Sequence, residues 1–319
     1  MEIKQGSLPK IIVITLVLAC LLTIVLGGCK PQPIAETTAR VIVTQNFGHD
    51  LMLDESVIVA NDTSALDALA GVATVETKYG GGFIEAINGI RSQYSGGKVR
   101  KDWFFYINGL SANVGVLDYK LCDGDVEHWD FHDWSFHAFI PAIIGDFPQP
   151  FAGGYQGKNL LTIIVYDEGF RDTALDLVGK LEKLGIKDIR AQGATELSFQ
   201  DKEHSNLILL GTRDFALISE LNENRKLGFY IHFEDDKTVV YDSQGNETQY
   251  KSGCGLIQAT QNPWNPKGIG ACENVVWLLS GTNESQVQSA VDILTNHHEE
   301  FRYAYATVIV GEEVIKVPR

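Results

Sequence analysis

Residues 206–221 read NLILLGTRDFALISEL, and residues 274–294 read NVVWLLSGTNESQVQSAVDIL. In each, a short apolar run ends in Gly-Thr and feeds an amphipathic segment. The first is a helix over Asp214–Leu221, and the second carries Val287, Ala290, Val291 and Leu294 on one stripe. Apolar runs of this length read as strands covered on both faces, and strands of that kind alternate with helices in parallel or mixed sheets. Leu160–Val165 opens the same pattern, ahead of a helix with Ala174, Leu177, Val178, Leu181 and Leu184 on one face, stopped by Gly185. Tyr305–Val310 returns as a last strand, and Phe229–Glu234 with Lys237–Asp242 reads as an inserted hairpin. Residues 158–319 are therefore expected to form an α/β domain with a mixed, mostly parallel sheet.

Toward the N-terminus the pattern changes. Val41–Gln45 and Glu55–Ala60 read as strands. Ser64 and Asp67 have capping-box spacing ahead of Leu66, Leu69, Ala70 and Ala73 on one helix face. Asn88-Gly89 and Asn108-Gly109 mark two hairpin turns, and Val126–Trp134 reads as a closing strand. Residues 41–135 thus predict a hairpin-rich α+β domain with one main helix. Prolines and a Gly153-Gly154 pair make residues 136–157 read as a linker.

The chain has 319 residues, 45% of them hydrophobic, which is enough for two cores. Its 26 basic and 41 acidic side chains leave a net charge of −15. That balance argues against nucleic acid as a partner and against adhesion to an anionic membrane by charge. Lys4 and Lys10 precede an uncharged apolar run, Ile11–Leu26, that is short for a membrane span and suits a secretory signal. Leu26-Gly27-Gly28-Cys29 resembles the bacterial lipobox. That resemblance implies a signal peptide over residues 1–28, lipidation of Cys29, a tether over residues 29–40, and the rest of the chain on the outer face of the cell membrane. An uncleaved anchor helix is the other reading of the same residues. Of the remaining cysteines, Cys254 and Cys272 flank a Pro- and Gly-rich loop. They read equally as a disulfide, allowed in an exported compartment, or as buried free thiols.

GGFIEAINGI (81–90), DWFFYINGLSANVG (102–115) and DYKLCDGDVEHWDF (118–131) follow one another in an order that resembles the C-terminal domain of the transcobalamin and intrinsic-factor proteins. Free-standing bacterial versions of that domain occur on exported proteins. The resemblance implies a corrinoid as bound ligand, with Trp103, Phe104, Tyr106, Asn108, Trp129, Phe131 and Trp134 as its contact set. NLILLGTRDFALISEL, QATQNPWNPK (258–267) and NVVWLLSGTNESQVQSAVDIL more loosely resemble α/β domains of archaeal surface-layer and related envelope proteins.

The residues carry a reading of their own. On alternating strand positions Trp103 and Phe105 share one face, Phe104 and Tyr106 the other. One aromatic face makes a core; a second is a binding surface if exposed, or is covered by the second domain. His128, Asp130 and His132 also point one way. They are candidate ligands for a metal or for a corrinoid cobalt, with a solvated polar face as the favoured alternative. Trp264 sits on a loop at a strand end, where open α/β sheets place ligands, or simply pins that loop.

Catalytic patterns are missing. There is no GxSxG elbow, and Asn296–Glu300 lacks the second histidine of an HExxH site. Asp214 and Glu284 occupy the first helical turns where a phosphate would bind, so no nucleotide is expected. The reading is a lipid-anchored extracytoplasmic binding protein, not an enzyme, that captures a corrinoid for uptake by a membrane importer. The alternatives are a structural or adhesive envelope protein that docks other envelope proteins, and a metal-binding lipoprotein.

Overall fold

In a computed structural model, residues 36–95, 99–235 and 237–319 are described. The expected signal segment and Cys29 lie outside the described residues. Among those residues no helix is long and apolar enough to cross a membrane. Residues 36–319 form one compact unit.

Strand β1 (Glu36–Gln45) alternates Ala39, Val41 and Val43 toward one side, all buried, and Ile42 and Thr44 toward the other. A strand buried on both faces must be internal, and β1 lies between β2 (Asp50–Ala60) and β9 (Asp125–Asp133). Helix α1 (Ala65–Val72) starts as its sequence demands, with Ser64 Oγ accepting the Asp67 amide at 3.1 Å. Small antiparallel strands follow: β3 (Val75–Lys78), β4 (Phe83–Ile87), β5 (Ile90–Arg91) and β6 (Gln93–Ser95). Strand β7 (Val99–Ile107) turns at Asn108-Gly109, both with positive φ, into β8 (Leu110–Ser111). The first sheet runs β2-β1-β9-β7-β6, with β8 beside β7. Strand β1 pairs β9 in parallel, and β7 pairs β9 antiparallel.

The second half contains β10 (Thr162–Tyr166), α2 (Arg171–Lys183), β11 (Ile189–Gly193), α3 (Phe199–His204), β12 (Asn206–Thr212) and α4 (Ala216–Glu223). A three-stranded antiparallel sheet follows, β13 (Ile231–Glu234), β14 (Lys237–Tyr241) and β15 (Glu247–Tyr250). Then come β16 (Gly255–Gln261), β17 (Val275–Gly281), α5 (Glu284–Asn296), β18 (Ala306–Val310) and β19 (Glu313–Val317). The main sheet runs β11-β10-β12-β17-β16-β18-β19. Its first four strands are parallel, while β16 opposes both neighbours and β19 opposes β18. The expected α+β and α/β halves with a mixed sheet are present. Helices cover both faces, α2 and α5 through Leu177, Leu181 and Val287, α4 through Ile218 and Leu221. Strands β11 and β19 and helix α3 carry too little apolar patterning to be read from sequence.

Residues 136–157 are largely buried. Ile140, Ala142, Ile143, Ile144 and Phe151 are all covered, and Phe151 meets Trp277 edge-on at 5.2 Å. One apolar cluster runs from Val41 and Leu69 through Phe151 to Trp277. Cys254 and Cys272 are free thiols in different apolar clusters, so the bridge that the sequence allowed is absent. Trp264 follows β16, which opposes the parallel strands, so it stands at their amino ends and not at their carboxyl ends. Its indole donates to Glu220 at 2.7 Å beneath the Lys202 ammonium, which pins the loop.

Candidate functional site

The pairing of β7 with β9 sets Trp103 opposite Phe131 and Phe105 opposite Trp129. Phe105 and Trp129 stack at 4.6 Å between ring centres, and Trp103 tilts against Phe131 at 5.1 Å. Both indoles are satisfied within the fold: Trp103 Nε1 donates to the Ile90 carbonyl at 3.0 Å, Trp129 Nε1 to Glu127 at 2.7 Å. Over this floor opens a cleft of about 230 Å³, lined further by Gly82, Phe83, Ile84 and Phe104 and by Ser111, Ala112, Val114, Gly115 and Val116. Phe83 is 38% exposed at the wall, and Tyr79, 88% exposed, meets it edge-on at 6.2 Å. An exposed aromatic pair beside an aromatic-floored cleft is the arrangement a flat apolar group recognises. The volume is below that of a pocket enclosing a drug-sized ligand and leaves room only for an edge or a side group of one.

Several expected contact residues are elsewhere. Tyr106, Asn108 and Phe131 are buried and do not line this cleft. Asn108 is consumed by its turn, donating to Asp125 and the Gly154 carbonyl at 2.7 Å each and accepting the Val126 amide at 2.8 Å. Phe104 borders the cleft but turns its ring to the opposite face, onto His132, and half-buried Trp134 lies past the end of β9 under the Arg100 guanidinium. Phe83 and Tyr79 were missed, because a lone aromatic on a short strand and another beside a glycine run give no local signal.

The other face of β9 carries His128, Asp130 and His132, all fully buried against the second half of the chain. Neither the metal reading nor the solvated-face reading holds. Among the described residues no group of three or more His, Cys, Asp or Glu side chains is arranged to hold a metal. His132 is sandwiched between Phe104 at 4.0 Å and Phe47 at 4.2 Å, with its Nδ1 on Asp130 at 2.7 Å. Asp130 also accepts the Thr44 hydroxyl at 2.6 Å, the Phe47 and Gly48 amides at 3.0 Å and the Tyr305 hydroxyl at 3.3 Å. Burial pushes the Asp130 carboxyl up, but the His132 hydrogen bond and charge, with the Thr44 bond, hold it below its ordinary value. Only glycine fits position 48, where φ is +78° and a Cβ would meet the Tyr303 carbonyl at 1.9 Å.

His128 sits between Asp146 (Nδ1, 2.7 Å) and Thr44 (Nε2, 2.9 Å). Thr44 has one hydroxyl proton, which goes to Asp130, so the imidazole must donate to Thr44. Its Nδ1 faces the Asp146 carboxyl, so both ring nitrogens of His128 are taken up by side chains of the fold. Thr44, Phe47, Asp146 and Tyr305 were not legible as partners, because they come from four separate segments.

Residues 62–133, the greater part of the hairpin-rich half, match a family model described as a domain of unknown function (DUF4430). Among solved structures the chain is similar in part to haptocorrin in complex with Cbi, at 15% identity and a TM-score of 0.27. That match covers 32% of this chain and spans about a quarter (26%) of the haptocorrin chain. No curated protein matches.

Proposed function

We propose that this protein is an exported, lipid-anchored binding protein that captures a flat, largely apolar cofactor of the corrinoid class and passes it to a membrane importer. The observation that carries the reading is the surface cleft floored by Trp103, Phe105 and Trp129 and flanked by exposed Phe83 and Tyr79. One edge of the macrocycle enters the cleft beside the exposed Phe83 ring, with Tyr79 next to it. The ordered motifs at 81–90, 102–115 and 118–131 support the same ligand class, and Leu26–Cys29 supports the anchor. The test is a titration of the chain lacking residues 1–29 with cobinamide and cobalamin, followed by corrinoid absorbance and tryptophan fluorescence. Saturable binding with quenching is expected. Absence of binding by either corrinoid removes the proposal.

A further inference from the structure

On the far side of the 111–116 loop lies a second cleft, of about 770 Å³, at the amino ends of the parallel strands. We infer that it is a binding site for a small organic anion with an apolar body, a carboxylate of medium chain length being the class that fits. Its volume lies in the range of small-molecule sites.

The wall is built and rigid. Buried Asn265 donates to Asn274 at 2.9 Å, and Asn274 donates to the Ser205 and Glu203 carbonyls at 2.8 and 3.0 Å. Gln261 accepts the Gly270 and Cys272 amides at 2.8 Å each, and the Cys272 thiol reaches the Ser111 carbonyl at 2.9 Å. The loop over residues 262–274 is thereby fixed to both halves of the chain before any ligand arrives.

The charge of the lining runs against that of the molecule. The chain carries a net −15, yet the cleft is lined by Lys158 and Lys267 against one carboxylate, Glu273, and by His204, which faces Glu203 at 3.8 Å. Lys267 already pairs with Glu273. Among the described residues Lys158 has no carboxylate within salt-bridge reach and faces the cleft exposed, so its ammonium is the group an incoming anion meets. Burial keeps the Cys272 thiol neutral, pushed up to about 11, and holds the Tyr155 phenol neutral as well. Val114, Leu160 and Ile269 supply the apolar surface. A cation beside an apolar wall selects an amphipathic anion over a fully hydrated one such as phosphate.

Calorimetric titration at low salt with octanoate, octanamide and inorganic phosphate tests this on the chain lacking residues 1–29. Saturable octanoate binding is expected, with octanamide and phosphate much weaker. Lys158→Gln should weaken octanoate about tenfold, equivalent to ~1.4 kcal/mol. Glu273→Gln, which frees Lys267 while keeping an acceptor for Asn265, should tighten it. The inference is overturned if octanoate does not saturate, if octanamide binds as well, or if neither variant moves the affinity. It is equally overturned if Phe83→Ala abolishes octanoate binding, which would place the anion in the aromatic cleft. Corrinoid binding should be unaffected by Lys158→Gln, since Lys158 does not line the aromatic cleft, so the two proposals fail separately.

Discussion

At the residue scale, two buried carboxylates on one strand behave oppositely. Glu127 has one oxygen on the Trp129 indole and the other without a partner, and burial raises it to about 8. Its folded value lies above its unfolded one, so the folded chain binds the extra proton. The stability this contributes is complete below the ordinary carboxylate value and is lost as pH rises toward 8, on the order of 1 kcal/mol per pH unit. Glu127→Gln should therefore leave Tm little changed at pH 5 and raise it progressively toward pH 8; thermal melts across that range measure it. Asp130 is held below its ordinary value, so its contribution is present above that value and lost only as pH falls below about 4. Asp130→Asn leaves His132 and the Phe47 and Gly48 amides facing a neutral group, and a cost of about 3–5 kcal/mol at pH 7 is expected in urea unfolding. A variant as stable as the parent would show that the network is not an ionic one.

At the scale of the element, strand β7 illustrates how the same aromatic residues divide between core and surface. Trp103 is 7% exposed, packs on Phe131 and donates to Ile90, so Trp103→Ala should cost about 3–5 kcal/mol of stability. Phe83→Ala at the cleft wall should instead leave Tm nearly unchanged and weaken cobinamide about tenfold, the scale of one lost aromatic contact. Paired melts and titrations separate the two effects. A Trp103→Ala chain that folds normally and loses binding would reverse these roles. The Trp103/Phe105 and Phe104/Tyr106 partition was legible from alternation alone. The depth of each face was not, since it depends on α1 and on Tyr305, which packs against Tyr106 from the far end of the chain.

Across the whole molecule, contacts between the halves are close and made by backbone. Gly145 lies so near Tyr303 that an added Cβ would stand 2.2 Å from its carbonyl carbon, and Gly48 meets the same residue from the other side. The Tyr303 hydroxyl donates to Asp54, and His49 contacts the Pro318 carbonyl at 2.7 Å. Residues 36–319 should accordingly unfold in a single transition, with coincident circular dichroism and fluorescence curves. Gly145→Ala should lower that transition by about 3 kcal/mol, because the Cβ meets backbone that cannot swing aside. Two separated transitions in the parent chain would contradict the continuous core.

Sequence alone determined the local identities of the strongly patterned runs as strands or helices, where Ser64 caps and where Asn108-Gly109 turns, though not β11, β19 or α3. It also determined that His128, Asp130 and His132 share one face. These follow from period, capping chemistry and backbone sterics, which act between near neighbours. Only the tertiary structure decided what each face meets. The histidine face became a buried network because Asp146, Phe47 and Tyr305 arrive from distant segments. The cleft formed where Gly82–Ile84 and residues from 111 to 116 come together at Trp103, Phe105 and Trp129. Burial is a property of the partner as much as of the strand, and no period along one segment encodes which partner comes.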